Sequence, residues 1–173
     1  MKVFKLTSIG VLALFGSVCQ SDKKDDPVGI VDVDGIRYEA RTSVVESTVP
    51  VVGLRRMIFT TLFITNLRTE ALQGSRNACP LALVVYRSAA RRRPVWDSRK
   101  ARSGCVDMKL WVNIPPGFAD SFTMNSRANF VLADSLPAGQ YYFSTVVKPQ
   151  HHVKLPPAEI PSGHGYLAPN KGW

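Results

Sequence analysis

Residues 136–147 read LPAGQYYFSTVV, and this stretch decides how the rest of the chain is interpreted. Pro137 and Gly139 are typical of a tight turn. The run from Tyr142 to Val147 that follows is rich in aromatic and β-branched residues, which favour strands. A turn that leads directly into such a run predicts a strand near the C-terminus.

Tyr141 stands at the junction between this turn and this strand. The arrangement resembles the tyrosine corner of β-sandwich domains, in which a tyrosine at the start of a late strand bonds to backbone just upstream. A glycine supplies the tight bend in that motif, as Gly139 does here. We therefore predict a structural role for Tyr141.

Similar strand patterns occur throughout the preceding chain. Residues Val28–Val33 and Ile36–Val45 alternate apolar and polar side chains, and Asp34-Gly35 between them predicts a two-residue hairpin. Residues Met57–Leu67 predict a central strand, in which Phe59 and Phe63 share one face. Further strands are predicted at 81–87, 94–97, 109–114, 118–124 and within 152–160, whereas 68–80 has the composition of a loop.

The chain has no long run of apolar residues at helical spacing and no repeat of 20 to 50 residues. Seven to nine short strands separated by turn signals predict an all-β, antiparallel sandwich of immunoglobulin-like or fibronectin-like architecture. We place this single domain at residues 28–160. Residues 161–173 are rich in Gly and Pro and predict an irregular tail.

The N-terminus has the pattern of an export signal. Lys2 and Lys5 precede a short apolar stretch, which predicts a signal peptide over residues 1–19 and a polar tether over 20–27. Cys19 is either the lipidated cysteine of a bacterial lipoprotein or part of an ordinary cleavage site. Val18 departs from the small residue that lipidation prefers. We expect an exported protein, either attached to the cell envelope, periplasmic or secreted.

Removal or acylation of Cys19 leaves Cys79 and Cys105 as a pair. In an oxidising compartment such a pair is expected to form a disulfide, and closing a loop of about 26 residues would add about 3 kcal/mol of stability. The alternative is two unpaired buried thiols.

The net charge of +9 is concentrated in one segment. Residues 87–102 carry seven basic side chains against Asp97 alone. The candidates for anion binding are Arg91, Arg92, Arg93, Arg99, Lys100 and Arg102. The segment is either a solvated hairpin tip or an attachment to an anionic membrane surface. Nucleic acid is disfavoured, because Trp96 is the one large aromatic close by and a strand position favours burying it in the core.

No residue pattern predicts catalysis, a cofactor or a metal site. We find no nucleophile beside a base, no paired carboxylates and no phosphate-binding glycine loop. His151 and His152 would point to opposite faces of a strand, which is poor geometry for a shared metal, and His164 stands apart. We therefore expect a protein that is not an enzyme.

The span from about Thr61 to Ile160 resembles the intracellular proteinase inhibitor family, also called BsuPI-like. The resemblance rests on FITNL at 63–67, LVVYR to PVWDS at 83–98, IPPGFADSF at 114–122 and LPAGQYYF at 136–143. It implies an immunoglobulin-like sandwich and makes proteinase inhibition one hypothesis, although the export signal departs from an intracellular family. The leading hypothesis is a binding module for a protein partner, and the third is an anionic-surface tether through residues 87–102.

Overall fold

The computed structural model describes residues 29–49, 53–77, 80–100, 109–133, 135–148 and 153–169. Within these ranges strands dominate and every strand pair is antiparallel, which confirms the all-β prediction. The strands are β1 (Gly29–Val33), β2 (Ile36–Val49), β3 (Gly53–Asn66), β4 (Leu72–Asn77), β5 (Leu81–Tyr86), β6 (Pro94–Asp97), β7 (Lys109–Ile114), β8 (Ala119–Arg127), β9 (Gly139–Val147) and β10 (Ala158–Leu167).

The first sheet has the strand order β1-β2-β3-β8. Its opening hairpin is as predicted, because Asp34 and Gly35 adopt φ values of 48° and 72° and pair Val33 with Ile36. Two consecutive positive φ values match the right-handed twist of the flanking strands. Strand β3 lies in the interior of the sheet, as expected for the Met57–Leu67 run.

The second sheet has the strand order β10-β9-β5-β6. All six residues of β5 are buried, so both faces of this strand are covered. Strands buried on both faces are apolar without interruption, which explains the sequence LALVVY. Trp96 on β6 is half-buried and packs against the core.

A two-stranded ribbon of β4 and β7 accompanies the two sheets. The expectation of a loop over 68–80 was wrong for Leu72–Asn77, which pairs with Lys109–Ile114 in regular register. This segment contains Gly74 and is mostly polar, so it lacks a local strand pattern. Its strand conformation follows from pairing with a segment about 37 positions along the chain.

The prediction of an irregular tail was wrong for residues 161–167. Strand β10 extends to Leu167 and pairs with β9 along its length. Pro161 is accommodated at a register shift between Pro161 and Gly163. A five-residue helix, α1 (Ala128–Leu132), follows β8 and buries three apolar side chains, which the sequence did not predict.

A short chain of hydroxyl groups divides the core between the sheets. The Thr42 hydroxyl donates to Ser162 Oγ at 2.7 Å, and Thr42 Oγ1 lies 3.0 Å from Thr60 Oγ1. All three side chains are buried. Apolar residues of β2, β3 and β10 continue on both sides of this trio in two separate clusters. Each hydroxyl has a partner, which offsets the cost of placing polar atoms in the interior.

Asn66, the asparagine of the FITNL motif, joins three segments at one end of the first sheet. Its Nδ2 donates to the carbonyl oxygens of Glu70 and Ile114 at 2.8 and 2.9 Å, and its Oδ1 accepts from the Arg68 backbone N–H at 3.0 Å. The side chain is fully buried. An amide side chain supplies both donors and an acceptor in one planar group, and here it satisfies the carbonyl oxygen of the buried Ile114.

Several predictions fall on residues outside the described ranges. These are the signal peptide at 1–19 with Cys19, the tether at 20–27, the Cys79–Cys105 disulfide, Arg102, and the histidines His151 and His152. Within the described residues, no helix is long and apolar enough to cross a membrane.

Candidate functional site

Tyr141 begins the buried part of β9 and is itself only 1% exposed. Its hydroxyl donates to the carbonyl oxygen of Pro137 at 2.5 Å. The acceptor is backbone four residues upstream, which is the geometry that a tyrosine corner requires. The bond fixes the entry of the chain into β9, so the hydroxyl has a structural role, and the side chain is buried.

Arg91, the first arginine of the predicted anion cluster, donates hydrogen bonds to backbone carbonyl oxygens of the protein. It stands in the turn between β5 and β6 at a φ of 49°. Its Nε donates to the Phe143 carbonyl oxygen at 3.3 Å and its Nη2 to the Gly163 carbonyl oxygen at 3.4 Å. Its guanidinium carbon also lies 5.9 Å from the centre of the Tyr142 ring. Arg91 therefore ties the turn to β9 and β10.

Arg99 is also engaged, in a forked pair with Asp97. Its Nε and Nη2 donate to the two carboxylate oxygens at 2.9 and 2.6 Å. The hydrogen bonds from Arg99 hold the pKa of Asp97 below its usual value and raise that of Arg99. Arg92, Arg93 and Lys100 are exposed, and so is Arg99, whose side chain is 48% exposed despite its ion pair. Arg91, which is half-buried, differs from these four residues.

The outer face of the β1-β2-β3-β8 sheet is a second candidate surface. Phe59 and Phe63 on β3 are each 36% exposed, and they stand about 13 Å apart at a strand rise of about 3.3 Å per residue. Thr61 lies between them and approaches Thr123 of β8, with 3.4 Å between the two hydroxyl oxygens. Neighbouring positions on the same face are mostly polar, and they include Arg37, Glu39, Arg41, Ser43, Ser121 and Asn125.

A shallow groove lies beside this face, where β2 approaches β10. It has a volume of about 360 Å³ and is lined by Ser43, Val44, Glu46, Arg56, His164, Gly165 and Tyr166. Glu46 accepts a hydrogen bond from Arg56 Nε at 2.7 Å, and Arg56 Nη2 lies 2.6 Å from the same carboxylate. His164 lies with its ring centre 5.8 Å from that of Tyr142. Among the described residues, no three His, Cys, Asp or Glu side chains cluster as metal ligands.

The sequence indicated these two surfaces unequally. The alternation in β3 placed Phe59 and Phe63 on one face, and that face is the outer one. The groove joins residues 43–56 to residues 164–166, more than 100 positions apart, so no local motif could reveal it. Trp111 on β7 is 74% exposed and was not singled out either, because an alternating strand does not say which face is covered.

Comparisons with known proteins give no family. No family model matches the chain, and no curated protein matches it. Among solved structures, the chain is similar to the Northeast Structural Genomics Consortium target SoR45, at 17% identity and a TM-score of 0.33, over 79% of this chain and 89% of that one.

Two further structures give similar values. Beta-glucosidase 3B from Thermotoga neapolitana, solved with glucose, matches at 12% identity and a TM-score of 0.33, over 76% of this chain but 17% of that one. The putative ApaA protein from Bordetella pertussis matches at 14% identity and a TM-score of 0.26, over 78% of this chain and 97% of that one. At these TM-scores the likenesses support no conclusion about function.

Proposed function

We propose that the chain is a non-enzymatic, exported binding module of immunoglobulin-like architecture, and that it docks a protein partner on the outer face of the β1-β2-β3-β8 sheet. The observation that carries the proposal is the exposure of Phe59 and Phe63 at the centre of this face. Aromatic anchors surrounded by polar residues are the usual composition of a protein-binding surface.

The size of the face suits a modest interface. Four strands about 4.8 Å apart and about nine residues long cover about 500 Å². Two such surfaces would bury about 1,000 Å², which is the lower bound for a specific contact. We therefore expect a reversible complex, to which the two phenylalanine rings contribute most of the binding energy.

Two features support the immunoglobulin-like part of the proposal. The order β2-β3-β8 opposite β10-β9-β5-β6 is the order of the A-B-E and G-F-C-C′ sheets of such domains, if β7 corresponds to strand D. Tyr141 occupies the position of the tyrosine corner, at the start of the strand equivalent to F. β1 and β4 would then be additions to the basic pattern.

Site-specific photo-crosslinking in intact cells tests the docking face. A photoreactive phenylalanine analogue replaces Thr61, between the two rings, and in a control it replaces Asn113 on the β4-β7 ribbon. We expect one protein adduct from position 61 and none of that mass from position 113. Phe59→Ser and Phe63→Ser should abolish the adduct, while Trp111→Ser should leave it. The same adduct from both positions, or none from position 61, contradicts the proposal.

Proteinase inhibition is a second candidate, and the family resemblance is its source. Asn66 and Tyr141, two residues of the resembling motifs, hold strand ends in place, so the resemblance bears first on the fold. Titration of a panel of secreted serine proteinases with the purified chain tests inhibition. Activity that stays constant up to a molar excess of the chain ends this candidate.

Attachment to an anionic surface is a third candidate, favoured by the exposed side chains of Arg92, Arg93 and Lys100. Binding to vesicles with an acidic lipid should fall steeply with salt, because surface charges are screened over about 10 Å at 0.1 M. Arg92→Gln with Arg93→Gln should weaken it, and Arg41→Gln on β2 is the matched control. Equal binding by all three proteins ends this candidate.

A further inference from the structure

The groove between β2 and β10 exists because β1 covers only half of the β2 edge. Strand β1 pairs with Ile36 to Ala40, and β2 continues to Val49 beyond that pairing. Over this second half, β10 approaches from the other sheet. A Cβ added to Gly163 would lie 2.5 Å from the Thr42 carbonyl oxygen, and one added to Gly165 would lie 2.5 Å from Val44 Cγ2. The floor of the groove is therefore a contact that only glycine permits.

The charged pair in the groove occupies core-facing positions. The side chains of Thr42 and Val44 on β2 face the interior, and so do those of Ile58 and Thr60 on β3. Glu46 and Arg56 are the next residues on the same faces of these two strands. Apolar residues would close the end of a sandwich more simply. Instead a cross-strand ion pair lines the opening, with side-chain exposures of 51% for Glu46 and 21% for Arg56.

The geometry of this pair leaves part of Glu46 for another partner. Arg56 Nε donates to the carboxylate oxygen Oε1, and Nη2 lies 2.6 Å from the same oxygen. Among the hydrogen bonds of the described residues, none goes to the second oxygen, Oε2. Because the two charges cancel, the pair as a unit is not a strong attractor of either anions or cations, but it places charged hydrogen-bonding groups side by side.

On the opposite side of the groove stand two ring side chains of β10. Tyr166 is 55% exposed, and His164 is two residues before it on the same strand face. Ser43 of β2 also lines the groove. The groove thus combines an aromatic surface with several polar groups in a shallow, open space of about 360 Å³, within the size range of small-ligand sites.

We propose that this groove binds an uncharged saccharide. The apolar face of a pyranose ring would lie against Tyr166, and a neighbouring hydroxyl group would donate to Glu46. The groove adjoins the Phe59 and Phe63 face at Ser43, so it would be a second ligand site next to the proposed docking face.

The test is a titration of the isotopically labelled full chain with four defined tetrasaccharides, monitored by the backbone amide signals. The probes are cellotetraose, maltotetraose, mannotetraose and the β-1,4-linked tetramer of N-acetylglucosamine, each up to about 10 mM, with inorganic phosphate as the anionic comparison. We expect at least one saccharide to shift the amide signals of Ser43, His164 and Gly165.

Matched variants assign the binding to the groove. Glu46→Gln and Tyr166→Ala should each weaken it about tenfold, whereas Glu39→Gln, from a neighbouring ion pair on β2, and Trp111→Ala should not. The proposal is overturned if no saccharide shifts these signals, if phosphate binds there more tightly than every saccharide, or if Trp111→Ala abolishes binding while Tyr166→Ala does not. Tyr166 is exposed, so its replacement is not expected to prevent folding.

Discussion

The two four-stranded sheets differ in how their outer faces meet their surroundings. On the outer face of β5 and β9, Ala82, Val84, Tyr86 and Val146 are all at most 9% exposed and form a cluster of their own. On the outer face of β3, the two phenylalanines Phe59 and Phe63 are each 36% exposed. Strand β5 of one sheet is thus covered on both sides, whereas β3 of the other sheet presents aromatic rings to solvent.

This difference separates apolar residues that have a structural cover from apolar residues that are available for contact. The apolar side chains on the outer face of β5 belong to a continuous apolar strand. Among them, Tyr86 donates a hydrogen bond from its hydroxyl to the Glu159 carboxylate at 2.5 Å. The phenylalanines outside β3 interrupt a polar face and have no such cover. Single exposed apolar residues are ordinary on protein surfaces, but several on one face, here with Ile30 and Val45, make that face a candidate for binding.

A charged residue introduced on each outer face should give the largest difference in the free energy of unfolding between the two sheets. Val84→Asp would bury a carboxylate without a partner, so we expect a loss of about 3–5 kcal/mol in the free energy of unfolding. Phe63→Asp places the same group where water can reach it and should cost about 1 kcal/mol. Urea denaturation of both variants measures the two losses. Equal losses would mean that the outer face of β5 is not sealed.

The Asp97–Arg99 pair beside the covered face should matter more than the Asp32–Arg37 pair on the open sheet. The Asp97 side chain is 6% exposed, whereas both members of the other pair are 47% exposed. Asp97→Asn should therefore cost about 1–2 kcal/mol, because a charge-assisted bond is lost in a buried place. Asp32→Asn should cost less, and the reverse order would contradict this view of the two faces.

Asp97→Asn should also change how the free energy of unfolding depends on pH in acid. The pKa of Asp97 is lower in the folded chain than in the unfolded one, owing to its hydrogen bonds from Arg99. Its contribution is therefore present above the unfolded pKa of about 3.9 and is lost as pH falls through the folded value. Asp97→Asn should have a shallower loss of stability below about pH 4, measured by urea denaturation across pH.

Replacing Tyr86 should lower the free energy of unfolding by a smaller amount at neutral pH, and it should change how stability depends on pH in alkali. Burial, followed by the hydrogen bond to Glu159, raises the pKa of Tyr86 to about 12. The unfolded chain would lose this proton near pH 10, so stability should fall between about pH 10 and 12. Tyr86→Phe should cost about 1 kcal/mol at pH 7 and reduce this alkaline loss.

Part of the alkaline loss should remain in that variant. Burial also raises the pKa of Tyr38, whose hydroxyl donates to the Pro156 carbonyl oxygen at 2.9 Å. A Tyr86→Phe curve identical to that of the parent chain above pH 10 would place Tyr86 in water and contradict the covered face.

The sequence predicted the parts of the fold that local chemistry determines. Asp34-Gly35 predicted the first hairpin, because the turn needs two positive φ values. The uninterrupted apolar run at 81–86 predicted a strand with few polar positions. It could not predict β4 or the second half of β10. Glycine and proline residues in these segments predict irregular structure when they are read locally. In the folded chain, Gly163 and Gly165 instead allow β10 to approach β2 closely.

The candidate surfaces were harder to predict for a related reason. Alternation places Phe59 and Phe63 on one face of a strand but does not say which face is covered, and that depends on how the two sheets assemble. The division of the arginines between structure and solvent was also hidden. Arg91 is held by carbonyl groups of β9 and β10, more than 50 residues away along the chain, while its neighbours Arg92 and Arg93 are exposed.

The smallest expected effect comes from adding a hydroxyl group on the open sheet, which is the reverse of removing one in Tyr86→Phe. Phe63→Tyr adds a hydroxyl group to a ring that is already 36% exposed. Because water can solvate the added group, the free energy of unfolding should change by less than about 0.5 kcal/mol. Removing a hydroxyl from the covered face would then cost more than adding one to the open face. A loss above about 1 kcal/mol for Phe63→Tyr in urea denaturation would mean that the ring tip is packed, and Phe63 would no longer be available as an anchor for a partner.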